Sequence, residues 1–553
     1  MQNMNKIYLE KIVFIVIFHL FICLLISQLG LFLNFPVTRF YYPLSVIISF
    51  LICRVNFISG AITALILLFG FLISGYFFDL SADGQSYHQE SIIQLKNGWN
   101  PIYGESHSRT MKVWTEHYPK GAEIIQSCIY SFFGKIETGK AINIFLFISS
   151  LLITKKALES FSIDLKQQWI FAFLIASNPV VISQILTFYV DGLSYSFIIC
   201  FLSSLFLFIK TKERIYIALI ISTLTIVGSL KFTSMPTLAV LTVCILVILL
   251  FLKKISSLKT LILPLLCASF LLIFCNYNPY ITNLKEGKHV FYPLKGEGSI
   301  DILERFAPEG FVRNNNRIEK LAFTLFTKTG SFDKDNMSYK IPFSISQKEL
   351  NRLADADIGV GGFGIFYSGF LIVLLLFFIV NNKRLKNLNH QQKILFISIL
   401  PILASVLIIS DPWWVWYIPQ FYLIPLILLL ILEVNNTKIK NLFILKGILF
   451  VNILFFFSSV AVLNIYGTEK TYYILDMLKD SEKTVKIDAR YFPSNLDRLE
   501  EYGIPYEEIK IADDYKPIIR FQPKGSIIID DNFKKQDRNF VYDFLNRFFY
   551  KID

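Results

Sequence analysis

The sequence predicts an all-α polytopic membrane protein of about 13 transmembrane helices, with exoplasmic loops and a small C-terminal α/β exoplasmic domain. Three observations carry this prediction. Of the 553 residues, 54% are hydrophobic and only 17% are charged, where a soluble domain carries roughly 25% charge. The mean hydropathy is +0.52. The apolar residues also gather into stretches of roughly 17–25 residues with little charge, the length that crosses a bilayer.

Thirteen spans are expected, at about 12–34, 40–53, 57–78, 141–153, 169–186, 193–209, 215–230, 236–252, 260–275, 363–380, 394–410, 418–433 and 441–463. The second and fourth are short and read as tilted, extended or re-entrant. No ionisable group is expected at membrane depth, which counts against an ion-coupled transporter. Three polar regions interrupt the spans, at about 79–140, 276–362 and 464–553. The chain therefore divides into a transmembrane domain over 1–463 and a C-terminal domain over 464–553. In the latter, TVKID, IKIA and SIIID alternate with a helical stretch, the pattern of a small α/β unit. The N-terminal apolar run has no small-residue cleavage site after it and reads as an anchor.

Orientation follows from the short loops. One face collects nineteen Lys and Arg, including Lys155, Lys156, Lys210, Lys212, Arg214, Lys253, Lys254, Lys383 and Arg384, and the other only Arg39 and Lys231. The positive-inside rule places the first face in the cytoplasm. The N-terminus is then cytoplasmic, and an odd number of spans puts the C-terminal domain and all three polar regions outside. The net charge of +12 is thus a topology signal and not a nucleic-acid footprint. Six of the seven cysteines lie in apolar segments and none forms a C-x-x-C pair, so neither a disulfide scaffold nor a zinc ribbon is expected. The sequence contains no phosphate-binding P-loop, G-x-S-x-G elbow or H-E-x-x-H.

The first polar region begins DLSADGQSYHQESIIQLKNGWNPIYGE, with Asp83 a few residues from the third span. A carboxylate at that depth is partly desolvated, which raises its pKa and basicity and suits a general base. The same position also suits a solvated aspartate near a helix start. Downstream, Tyr87, Ile92, Ile93 and Leu95 among polar residues read as a helix lying in the membrane interface.

This region resembles the first exoplasmic loop of the GT-C glycosyltransferases, the superfamily of aminoarabinose transferases and protein O-mannosyltransferases. Asp83, Tyr87, Gly98 and Trp99 fit the spacing of that loop, and HYPKGAEIIQSCIYSFFG supplies Tyr118, Pro119 and Gly134 of its later turn. TFYVDG places Asp191 where family members often carry a second acidic residue, and SDPWWVWYIPQFYLIPLILLL resembles a late aromatic segment. The sequence departs from the pattern at Gly84, where an acid often stands, and at Lys120, which replaces a proline. The resemblance implies a GT-C-like fold and transfer of a sugar from a polyprenyl-phosphate-linked donor to a glycan, lipid or protein hydroxyl, in a bacterial inner membrane. It implies Asp83 and Asp191 as catalytic residues, with Asp83 the general base.

Cations at the rim would stabilise the departing lipid phosphate. Lys231, alone at a span end in SLKFTSM, is the first candidate, although a lysine there also snorkels to lipid headgroups. Lys120 and Arg313 are further candidates, Arg313 reading equally as a solvated loop charge. Tyr87, His88, Glu90 and His117 are placed in the substrate-binding set. His88, His107 and His117 with Asp83 and Glu90 also raise a divalent metal ion, at spacings of no standard site. No cofactor is otherwise expected. NYNPYITNLKEGKHVFYPL in the second polar region suits carbohydrate contact or an ordinary turn-rich loop. The alternatives are a lipid-linked polysaccharide polymerase or ligase, which would favour Arg-rich outer loops, a transporter of lipid or solute, and a receptor or scaffold.

Overall fold

The computed structural model describes residues 7–108, 111–330, 338–381, 388–434, 441–480, 483–489 and 492–510, with short strands at 519–520 and 527–529. Among them, eight helices are long and apolar enough to cross a membrane: Leu9–Phe32, Phe57–Tyr76, Ile136–Leu158, Asp191–Thr211, Ser234–Phe251, Ile255–Cys275, His390–Leu407 and Leu442–Asp480. Four more are apolar but shorter: Tyr41–Cys53, Arg214–Gly228, Tyr367–Val380 and Pro419–Val434. In lipid every backbone polar group must be satisfied within the segment, which is why apolar runs of this length become helices.

The fifth expected span, 169–186, is not continuous. It divides into Leu165–Ala176 and Pro179–Gln184. The Asn178 side chain accepts from the Val180 N–H, and Pro179 takes the first helical position. A capping side chain followed by proline starts a new helix more readily than it continues an old one. The fourth span is longer than the expected 141–153, because a 3₁₀ turn at Ile136–Lys140 runs straight into Ala141–Leu158. This corrects the expectation that spans hold no charge: Glu137 and Lys140 lie in that helix, fully buried and paired with each other. Glu433 and Lys446 also fall within expected spans, and they pair at 2.9 Å.

Helices Leu9–Phe32 and Asp191–Thr211 are buried along most of their length, whereas Ile255–Cys275 turns Leu263, Leu266 and Phe270 outward. Outward leucine and phenylalanine on a spanning helix face lipid rather than water. The last helix, Leu442–Asp480, is 39 residues long, about 58 Å at 1.5 Å per residue. It runs unbroken across the expected boundary at 463/464. Its final turns join the C-terminal unit, a four-stranded sheet in the order β2-β1-β4-β3 with β1 at Val485–Asp488, β2 at Tyr506–Glu508, β3 at Ile519–Arg520 and β4 at Ile527–Ile529.

Strands β1 and β2 run parallel and are joined through helix Ser494–Glu501, while β4 pairs antiparallel to both β1 and β3. TVKID and SIIID contain β1 and β4 as expected. IKIA begins just after β2 and passes outside the described residues, as do 513–518, 521–526 and 530–553. The core beneath this unit joins Val485, Ile487 and Leu499 to Leu475 and Leu478 of the long helix and to Phe78, just past the end of helix Phe57–Tyr76. Phe78 anchors the chain entering the first polar region to the C-terminal domain.

Candidate active site

The Asp83 loop is shaped first by Asp79. Its Oδ1 accepts from the Ser81 N–H at 2.8 Å and the Ser81 hydroxyl at 2.6 Å, and its Oδ2 accepts from the Phe188 N–H at 2.9 Å. This carboxylate comes so close to Gly84 that an added Cβ would stand 2.0 Å from Oδ2 and 2.3 Å from Ser81 Oγ. A side chain at position 84 would have to displace the Asp79 carboxylate or the Ser81 hydroxyl from their hydrogen bonds. Gly84→Ala is expected to displace the loop and to cost about 1–3 kcal/mol, in line with overpacking elsewhere. Thermal unfolding measures the cost, and a transition unmoved by the substitution would contradict the close approach.

Gly84–His88 forms a π-helical turn, a widened geometry frequent at functional sites. Asp83 stands at its start, half-buried. The Tyr87 hydroxyl donates to Asp83 Oδ2 at 3.3 Å, and the Asp83 N–H donates to Tyr189 Oη at 3.3 Å. The Tyr189 hydroxyl in turn donates to Asp357. Burial pushes the Asp83 carboxyl above its ordinary range. The His88 charge, the Tyr87 hydrogen bond and Lys231 oppose that shift, and Asp191 adds to it. Asp83, Asp191 and Lys231 therefore share one electrostatic neighbourhood.

Asp191 opens helix Asp191–Thr211 and is 4% exposed. It forms an ion pair with Lys231, and its Oδ2 also accepts from Gln184 Nε2 at 3.1 Å. Gln184 Oε1 accepts from the Gly192 N–H at 2.8 Å. The glycine after Asp191 is required by packing, since a Cβ there would lie 2.9 Å from the Val181 Cα. Lys231 sits 4.3 Å from the centre of the Tyr417 ring, a cation–π arrangement. The pair lines a pocket completed by Ser194, Thr233, Ser234, Thr237, Trp416 and Tyr417. Ser234 and Thr237 belong to the first turn of helix Ser234–Phe251, so hydroxyls, a helix N-terminus and a lysine line the same pocket.

The remaining expected site residues have other partners. His88 Nδ1 and Glu123 Oε1 form a buried pair at 2.6 Å beside Tyr87. Glu90 is turned into its own loop, accepting from Ser108 Oγ at 2.7 Å and Gln94 Nε2 at 3.3 Å. His117 ties the first and second polar regions together, with Nδ1 2.7 Å from Asn283 Oδ1 and Nε2 3.0 Å from Lys288 Nζ. Lys120 is buried and donates to the carbonyls of Glu116 at 3.1 Å and Tyr118 at 2.8 Å. Burial pushes its ammonium down to about 7. Arg313 is three-quarters exposed and pairs with Glu304 at 2.6 Å, which makes it a surface ion pair. His107 is exposed. Among the described residues, no three His, Cys, Asp or Glu are placed to hold a metal ion.

With this geometry in place, the comparisons with known proteins are few. No family model matches the chain, and no curated protein matches it. The chain is similar in structure to ArnT. That protein, from Cupriavidus metallidurans, was solved bound to undecaprenyl phosphate, and the match covers 81% of this chain and 85% of ArnT at 10% identity, with a TM-score of 0.44.

Sequence reading missed several members of the site. Tyr189 lay in view two residues before Asp191, and Trp416 and Tyr417 stood in the aromatic segment already noted. Glu123 and Gln184 had no local signal, because each reads as an ordinary polar position of a helix. Asp357 lies in a glycine-rich turn 166 residues after Asp191 in the chain, and only packing brings it to Tyr189.

Proposed function

We propose that the chain is a GT-C-type membrane glycosyltransferase that moves a sugar from a polyprenyl-phosphate-linked donor to a hydroxyl acceptor at the exoplasmic rim. The observation that carries this reading is a desolvated carboxylate, Asp83, within electrostatic reach of Asp191 and Lys231, whose ion pair lines a hydroxyl-bearing pocket. The sequence resemblance supports it over 75–210. The charge asymmetry of the short loops supports a cytoplasmic N-terminus and an exoplasmic C-terminal domain in a bacterial inner membrane.

In this mechanism Asp83 takes the proton of the acceptor hydroxyl. The acceptor oxygen forms a bond to the anomeric carbon as the bond from that carbon to the lipid phosphate oxygen breaks. The electron pair leaves with the phosphate, which is already a stable anion. Lys231, its charge held in place by Asp191, neutralises the negative charge as it grows. Tyr87 orients the Asp83 carboxylate, and Tyr189 fixes its backbone. The aromatic faces of Tyr118, Trp416 and Tyr417 suit a sugar ring. Arg313 takes no part in this scheme, and Glu90 and His117 act by bracing the loops.

The test is purified protein given labelled polyprenyl-phosphate sugars and a crude acceptor extract, with release of polyprenyl phosphate as readout. No transfer with any donor, together with flux of lipid or solute, would replace this reading by a transporter. The acid side of the pH–rate profile gives a second check. The base must be ionised, and burial raises its pKa, so the rate should fall on acidification with a midpoint above the ordinary aspartate range of about 3.9. A midpoint at or below that range would speak against Asp83.

A further inference from the structure

The loop that carries Asp83 is contacted on both sides of it by a residue more than 400 positions away in sequence. Arg498 lies on helix Ser494–Glu501 of the C-terminal domain and is fully buried. Its Nη2 donates to Glu137 Oε1 at 2.7 Å and to the Asp79 carbonyl at 3.4 Å. Its Nη1 donates to Gln85 Oε1 at 3.3 Å and to Asn495 Oδ1 at 2.6 Å. Next to it, the Ser494 hydroxyl donates to the Gln85 carbonyl at 2.8 Å. These contacts reach the loop at residues 79 and 85, on either side of Asp83. The guanidinium also lies 5.3 Å from the centre of the Phe78 ring.

Burying a guanidinium is costly unless it is paired and hydrogen-bonded. Here Glu137 pairs with both Arg498 and Lys140, and Asp79 and Glu501 add further carboxylates beside them. Lys140 also donates to the Phe77 carbonyl at 2.5 Å, at the point where the third span ends. A chain that needed only to tether its C-terminal domain could do so with the apolar contact at Phe78. The planar fork of Arg498 adds direction, since several donors in fixed geometry fix the place of the groups that receive them.

We infer that Arg498 is a positioning residue, through which the C-terminal domain clamps the 79–89 loop and sets Asp83 against the Asp191–Lys231 pocket. This rests on the glycosyltransferase reading above and assigns the C-terminal domain a part in the chemical step. Small displacement of a reacting group costs rate steeply, about 10²-fold for 1 Å, whereas a tether for substrate would be felt in binding.

The experiment uses the full-length protein in lipid nanodiscs, as wild type, Arg498→Lys and Ser494→Ala. Arg498→Lys keeps the charge beside Glu137 and removes the fork. Ser494→Ala removes one contact to the loop without disturbing a buried charge, so it remains informative if the lysine variant folds poorly. Transfer kinetics and amide hydrogen exchange over 79–89 are measured together. The expected result is faster exchange in that loop in both variants. The expected fall in kcat is about 10²-fold for Arg498→Lys and smaller for Ser494→Ala, with the KM for donor and acceptor unchanged. Unchanged exchange in both variants overturns the clamp whether or not transfer is seen. Faster exchange with unchanged kcat, or a change confined to KM, overturns the positioning role. Absence of transfer in the wild-type protein overturns the glycosyltransferase reading and with it the catalytic role of Arg498, while the exchange measurement still decides the clamp.

Discussion

Asp83→Asn should lower sugar transfer about 10²–10⁴-fold, the range in which a positioned general base contributes, with donor binding retained. Asparagine keeps the size of the side chain and an oxygen that can accept from the Tyr87 hydroxyl. The Asp83 N–H to Tyr189 is a backbone contact and survives the change. What is lost is the capacity to take a proton. The substitution thus separates chemistry from architecture. A labelled donor bound at wild-type affinity, together with a lost rate of polyprenyl-phosphate release, is the expected pair of results. Unchanged transfer would remove Asp83 from the mechanism. Reduced binding with an unchanged turnover rate would make it a binding residue instead.

Lys231→Met is expected to lower transfer about 10²–10³-fold, the loss found when one preorganised stabiliser of a developing anion is removed. It should also destabilise the protein by about 3–5 kcal/mol, because Asp191 is left as a buried, uncompensated charge. Both partners are shielded, with side-chain exposures of 11% for Lys231 and 5% for Asp191, so solvent screens the pair little. The stability loss and the rate loss have different origins, and a second substitution divides them. In Lys231→Met combined with Asp191→Asn the orphan charge is gone, and Gln184 still has an oxygen to meet. Thermal unfolding of the double variant should return most of the way to wild type while transfer stays low. If transfer returns with stability, the lysine acts only as a partner for Asp191 and not on the leaving group.

Much of the fold could be read from the sequence, and the failures have physical causes. The spans were legible because apolar length is a local property. The fourth was placed too short because Glu137 and Lys140 read as loop charges. In the folded chain Glu137 pairs with both Lys140 and Arg498, and the helix begins before it. The break at Asn178-Pro179 carried a local signal, a capping residue followed by proline, within an otherwise apolar run. At the site, the TFYVDG and SLKFTSM segments each pointed to one charged residue, and the fold joins the two in a single ion pair. Glu90 and His117 were placed in the site by proximity in sequence. Helix geometry turns them instead toward Ser108 and Asn283.

What the sequence determined by itself is the character of each segment: which stretches are apolar enough to lie in lipid, which short loops collect the basic residues, and that Asp83 follows an apolar run within a few residues. These depend on residues within a few turns of one another, since transfer from water to lipid is decided segment by segment. Tertiary structure alone decided which charges meet. Asp191 and Lys231 are 40 residues apart, and Arg498 and Gln85 are 413 apart. A buried charge is tolerable only where its partner lies within a few ångströms, and no local pattern records a partner that packing delivers from the far end of the chain.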